Sequence, residues 1–299
     1  MMPEQILPTT VVGSYPAVGS GGLGGALLDP LKPARKTAVS DQITAGIDII
    51  SDGQVGRDMI ALIADFLPGV KGQDVTGQIH PAGKPITLPG VKYALSRHPA
   101  VKGILTGPTT LAHGLALKTP VYRDRNELIP DLARALAQEA RYLADAGGVT
   151  ILQLDEPILS TGAADLSVAR EAVSIITKNV NVPSCMHVCG NIRGCIDEIL
   201  QFPVDILDFE FANNPDNLDV LSRSDLKGKK IGFGCVDSAD REVESVTEIK
   251  DRITKGIDIF GAETMLLDPD CGLRMHSREG AYNKLEHLVL AAHQCRKEL

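Results

Sequence analysis

The segment ELIPDLARALAQEARYLADAGGVTILQLDEP (127–157) carries two folding instructions back to back. From 127 to 147 the apolar residues recur three and four apart, and glycine follows the last of them, which predicts an amphipathic helix with a defined stop. The run VTILQL then has almost no polar interruption. A run of that length and type suits a strand buried on both faces, as in a parallel sheet. Polar chemistry arrives only where the run ends, at Asp155 and Glu156.

The same unit recurs on either side. Comparable runs are PTTVVGSYP (8–16), GIDIISDGQ (46–54), VKGILTGP (101–108), VPSCMHVCG (182–190), VDILDFEFA (204–212), KKIGFGCVD (229–237) and ETMLLDPDCG (263–272), giving eight with VTILQLDEP (149–157). Helical stretches separate them, so the pattern predicts an α/β fold of the (β/α)8 TIM-barrel type. An open, doubly wound sheet is the rival arrangement. Residues 66–99 break the rhythm with VTGQIHPAG and PITLPGVKYAL, which read as a β-hairpin insertion after the second strand. No linker or low-complexity segment divides the chain, and 1–299 reads as a single catalytic barrel domain.

Composition narrows the partners. The chain is 43% hydrophobic and 23% charged, ordinary for a globular protein with a large core. Its net charge of −8 and the lack of a basic run speak against nucleic acid or an anionic membrane surface. No stretch is long and apolar enough for a membrane span, and the N-terminus lacks signal-peptide character, so a cytoplasmic location is expected. In that setting the six cysteines (185, 189, 195, 235, 271, 295) are expected as thiols rather than disulfides.

In a barrel all the strand ends share one rim, where the loops build the active site. The runs place Ser14, Gln54, Asp155, His187, Cys189, Glu210, Asp237 and Cys271 there. His187 and Cys189, two apart on a strand, leave by the same face. Together with Glu210 and Cys271 they make a four-ligand set for Zn²⁺, which accepts N, S and O donors. The formal sum is +2 −1 −1 −1, or −1. Such an electron-rich zinc is a weak Lewis acid toward water, but it can hold a thiol as a nucleophilic thiolate. A lone buried cysteine is ordinarily a small hydrophobe, and that is the reading for Cys185, Cys195, Cys235 and Cys295.

His187-Val-Cys189, Glu210 in LDFEFAN and Cys271 in DPDCGLR resemble the zinc site in the C-terminal catalytic barrel of cobalamin-independent methionine synthases. VVGSYP, DGQ, TGPTTL and LQLDEP extend the likeness in order along nearly the whole chain. The resemblance implies one zinc per chain and homocysteine bound as a zinc thiolate and methylated to methionine. It also implies that Asp155 holds the substrate ammonium, with Ser14 on the carboxylate and Gln54, where the family has a glutamate on the ammonium, neutral but still able to accept a hydrogen bond.

Two departures concern the methyl donor. The family's pterin-stacking Trp after the TGP motif is replaced in LAHGLAL, with Gly114 nearest its position. The family's His at the seventh strand end, a proton donor to folate, falls near Ala239. Folate needs a stacking surface and an acid; Co(I) leaves a methylated corrinoid without one. The chain therefore looks like the short, archaeal-type form, taking methyl from methylcobalamin or a methylated corrinoid protein. The alternatives are a 5-methyltetrahydrofolate-dependent homocysteine methyltransferase and a methylcobamide:coenzyme M-type thiol methyltransferase. A non-catalytic zinc protein is the reading from a different class. Asp237 is a candidate partner for His187, and GSGGLGG (19–25) reads as a mobile loop suited to a lid.

Overall fold

The computed structural model describes residues 5–17, 31–56 and 58–299. The GSGGLGG loop lies outside the described residues.

Six strands form one curled sheet in which every neighbour is parallel. In sheet order they are Val101–Thr106, Val149–Asp155, Ser184–Val188, Ile206–Glu210, Lys230–Val236 and Met265–Pro269. The first two expected strands add single bridges at the sheet's edges, Ile50 to Val101 and Thr9 to Leu267. Between these two segments, Ile49 N donates to Thr9 O at 3.0 Å. The curled sheet thus fits a (β/α)8 barrel. Its first two positions bond to both neighbours but do not lengthen into ladders, and side chains take the amides of Thr9, Asp48 and Ser51. Asp48 Oδ2 accepts from both the amide and the hydroxyl of Thr9, at 2.9 Å each.

The strand of the opening segment is buried at all seven of its positions. Its preceding helix spans Arg125–Ala144, where Asp124 caps the first turn by accepting from Glu127 N, and Leu128, Leu132 and Leu136 face the core. Helix Val246–Phe260 opens on a capping box between Ser245 and Glu248. Among the described residues, no helix is long and apolar enough to cross a membrane.

Residues 66–99 depart from the expectation. A two-residue antiparallel ladder joins Val70–Lys71 to Asp74–Val75, but PITLPGVKYAL contains the helix Leu88–Leu95 rather than a strand. Pro89 suits the first helical turn, and Val91 and Ala94, three apart, are the buried face. Glu139 fixes the helix entry by accepting from Ile86 N and from the amide and hydroxyl of Thr87.

Alternation along the strands sorts one face into layers. Ile151, Cys185, Ile206 and Leu266 form an apolar cluster with Ile49 and Ala100. Two residues further along each strand come Gln153, His187, Asp208 and Asp268, every one buried. The next step reaches Asp155, Cys189, Glu210 and Asp270 at the strand ends. A core that turns polar this deep is costly, so a group in it without a hydrogen-bond partner calls for an explanation.

Candidate functional site

His187, Cys189 and Cys271 converge: one ligand atom from each lies within 4.8 Å of the others. They arrive from two strand ends, Cys271 directly beyond Met265–Pro269. The approach is set by a packed first segment. A methyl group on Gly272 would collide with Ser14 Oγ, and Leu273 N donates to Ser14 O at 2.7 Å. Only glycine after Cys271 lets Ser14 lie that close.

The imidazole is aimed by Asp208. His187 Nδ1 lies 3.1 Å from Asp208 Oδ1, and both side chains are buried. His187 Nε2 is also buried and has no partner among the described residues. Asp237 does not supply this contact. Its carboxylate caps its own turn, accepting from Ala239 N at 2.7 Å and Asp240 N at 3.2 Å. Asp208 takes the role because it stands beside His187 in the sheet register, on the adjoining strand.

The two neighbouring cysteines differ in acidity. A hydrogen bond from Cys189 pulls the Cys271 thiol well below the ordinary range and pushes Cys189 up, with the His187 side chain also favouring the Cys271 thiolate. Two half-buried thiols, one of them held toward the thiolate, and an orphaned, buried imidazole nitrogen fit a borderline-soft divalent cation such as Zn²⁺. Glu210 is not in the converging trio. Its carboxylate accepts from Asn214, and burial raises its pKa.

Asp270 ties the loops that carry these groups. Its carboxylate accepts from the amides of Phe211, Ala212 and Asn213, just past Glu210. Burial nevertheless holds its pKa up at about 8. Gly232 and Gly234 make room: a methyl on either would come within 2.6 Å of Asp208 or Asp270 respectively.

A cavity of about 320 Å³ opens beside the trio, lined among others by Ser14, Gln54, Asp155 and Arg274. Burial pushes the Asp155 carboxyl up to about 7, against the opposing pull of His187 and of Gln153, whose Nε2 donates to Oδ1 at 2.7 Å. Gln54 holds a left-handed backbone, φ 40°, pinned by Asp52 on its amide and Arg274 on its carbonyl. Its Nε2 is buried without a partner among the described residues. Strain of this kind persists where the surroundings over-determine it, often at ligand sites.

Two expected motifs lock together instead of lining the cavity. Glu156 Oε1 and Oε2 accept from Thr109 N and Thr110 N, capping the helix that follows Gly107. TGP and DEP are one structural unit.

The chain matches the family described as "Cobalamin-independent synthase, Catalytic domain" over residues 7–294. It belongs to that family. Among curated relatives, the methionine synthase of Methanothermobacter marburgensis is 43% identical, covering 95% of this chain and 98% of that one. The methionine synthase of Saccharolobus solfataricus is 32% identical, over 98% and 96%. Among solved structures, a B12-independent methionine synthase from Shewanella sp. W3-18-1 superposes with a TM-score of 0.86 at 22% identity, covering 98% of this chain and 99% of that one. At that identity the likeness carries the methionine-synthase barrel fold alone.

Asp208, Gln153, Lys102 and Asp268 escaped the sequence reading. Each had a signal: a polar residue two positions from a rim residue, or a lysine inside an otherwise apolar strand.

Proposed function

We propose that the protein is a zinc-dependent S-methyltransferase that methylates homocysteine to methionine. The convergence of His187, Cys189 and Cys271, with His187 Nε2 buried and unpartnered, carries this reading. These three residues would hold the metal, with Glu210 as the fourth ligand. When bound, Zn²⁺ supplies the acidity that keeps a thiol ionised at neutral pH.

The chain's own residues do the rest. Asp155 receives the substrate ammonium, which replaces solvent as the stabiliser of a buried carboxylate. Ser14 Oγ and Gln54 Nε2 donate to the substrate carboxylate. The cavity walls exclude water, so the sulfur attacks the donor's methyl carbon without competition. The new S–CH₃ bond forms as the methyl–donor bond breaks, and the donor leaves with that electron pair.

The donor we assign is a methylated corrinoid, methylcobalamin or a corrinoid protein. Gly114 offers no aromatic surface for a pterin, and Ile60 fills the space a side chain there would take, its Cδ1 2.6 Å from where a methyl group would stand. Two observations favour methyltetrahydrofolate as a second reading, beside the family's own description as cobalamin-independent. A neighbouring cavity of about 480 Å³ shares Gln54 and Leu62 with the first. His276 Nε2 lies 2.8 Å from Ser238 O, bringing an imidazole to the seventh strand end from another loop. Purified zinc-loaded protein and homocysteine decide between them. Methionine formed from methylcobalamin and not from methyltetrahydrofolate is expected; the reverse assigns folate, and neither refutes the methyltransferase.

A further inference from the structure

Lys102 is fully buried in the strand Val101–Thr106, far from solvent and absent from the metal trio. A lone buried ammonium is costly, so its partners show what it is kept for. Nζ donates to Gln153 Oε1 at 2.7 Å and to Val11 O at 2.9 Å, and lies 3.8 Å from Asp268 Oδ2.

Each partner leads to the site. Gln153 Oε1 is held by the ammonium, which forces the amide's other end outward. Gln153 Nε2 then donates to Asp155 Oδ1 and to Val12 O, both at 2.7 Å. With the amide reversed, its oxygen would face the Asp155 carboxylate and repel it. On the other side Asp268 is in contact with Asp208, the partner of His187 Nδ1. Neither oxygen of Asp268 has a hydrogen-bond donor among the described residues, and Lys102 Nζ is the cation beside Asp268 as the His187 imidazole is the one beside Asp208.

We infer that Lys102 is a positioning residue serving both halves of the site: through Gln153 it orients Asp155, and through Asp268 and Asp208 it steadies His187. The Asp155 arm rests on the reading of that residue as the ammonium's partner; the His187 arm does not. Lys102 touches no substrate atom. Its effect is to select one amide orientation and to balance one of two adjacent carboxylates.

The test uses Lys102→Met and the charge-balanced pair Lys102→Met/Asp268→Asn, both checked for folding by circular dichroism. Readouts are homocysteine KM against kcat, and the thiolate-to-metal absorption of the Co²⁺-loaded protein. In Lys102→Met, KM is expected to rise about 10-fold or more, the scale of a lost hydrogen bond from a charged group, with the Co²⁺ spectrum altered. In the double variant the spectrum returns toward wild type, because the introduced carboxamide can donate to Asp208, while KM stays raised because Gln153 still lacks its anchor. A folded double variant with wild-type KM overturns the inference, and it carries the test if Lys102→Met does not fold. Should the wild type not methylate homocysteine, the proposed function fails. The inference is then judged on the Lys102→Met spectrum, and an unchanged one overturns it.

Discussion

His187 is held between Asp208 and two cysteines, with Nδ1 3.1 Å from Asp208 Oδ1 and Nε2 unpartnered among the described residues. A carboxylate on Nδ1 fixes the tautomer that leaves the Nε2 lone pair free, and it raises the ring's basicity toward a metal. Asp208→Ala is therefore expected to weaken zinc binding about 10- to 100-fold in chelator competition. Asp208→Asn, which keeps a carbonyl acceptor, is expected to lose less. Wild-type affinity in Asp208→Ala would show that the contact does not aim the ligand.

The unequal acidity of Cys189 and Cys271 gives a second test. Metal binding to thiols requires thiolates, so a thiol proton must leave. Adding Zn²⁺ to the metal-free protein in weak buffer at about pH 7 is expected to release about two protons per metal, one from Cys189 and one from His187, whose pKa Asp208 holds well above the ordinary range against the effect of burial; an indicator dye reads the release. Cys189→Ser should lower the release by about one proton. A release unchanged in that variant contradicts the assignment of Cys189.

The strand frame and the convergence of His187, Cys189 and Cys271 were legible because both follow simple periods. Two-residue alternation put His187 and Cys189 on one face, and the end of an apolar run marked the rim. PITLPGVKYAL misled because its prolines and short apolar pieces suit a hairpin as well as a helix, and Glu139, which fixes the helix, is remote in sequence. Asp237 draws attention because it ends its run, whereas Asp208 lies inside one. The contact depended instead on sheet register, which pairs His187 with Asp208 and which no single strand reveals. Lys102 was hidden for the same reason, since its partners come from several strands.

Asp155 predicts a pH dependence. Burial is the first cause of its rise to about 7, so below that pH the empty site holds a neutral acid. An ammonium needs the carboxylate, so methionine binding to the metal-free protein should strengthen as pH rises through about 7 and level off above it. Titration calorimetry across about pH 5.5 to 8.5 reads this directly. A bound cation favours the carboxylate, so Zn²⁺ should move the midpoint down. Affinity that does not change with pH would remove Asp155 from ammonium binding.

Glu156 is expected to act on stability. Glu156→Ala strands two buried amides and the Thr110 hydroxyl at the start of a helix. The expected cost is about 1–3 kcal/mol, a drop of several degrees in the thermal midpoint. Zinc stoichiometry should be retained. Lost activity with an unchanged midpoint would instead place Glu156 in the chemistry.

If this site binds its thiol substrate through zinc, the substrate sulfur must enter the metal's coordination shell. Zinc X-ray absorption of the purified protein, with and without homocysteine, tests that most directly. Two sulfur ligands are expected at rest, from Cys189 and Cys271, and a third when homocysteine is added. A sulfur count that does not change on adding homocysteine, at saturating substrate and full zinc loading, would contradict it.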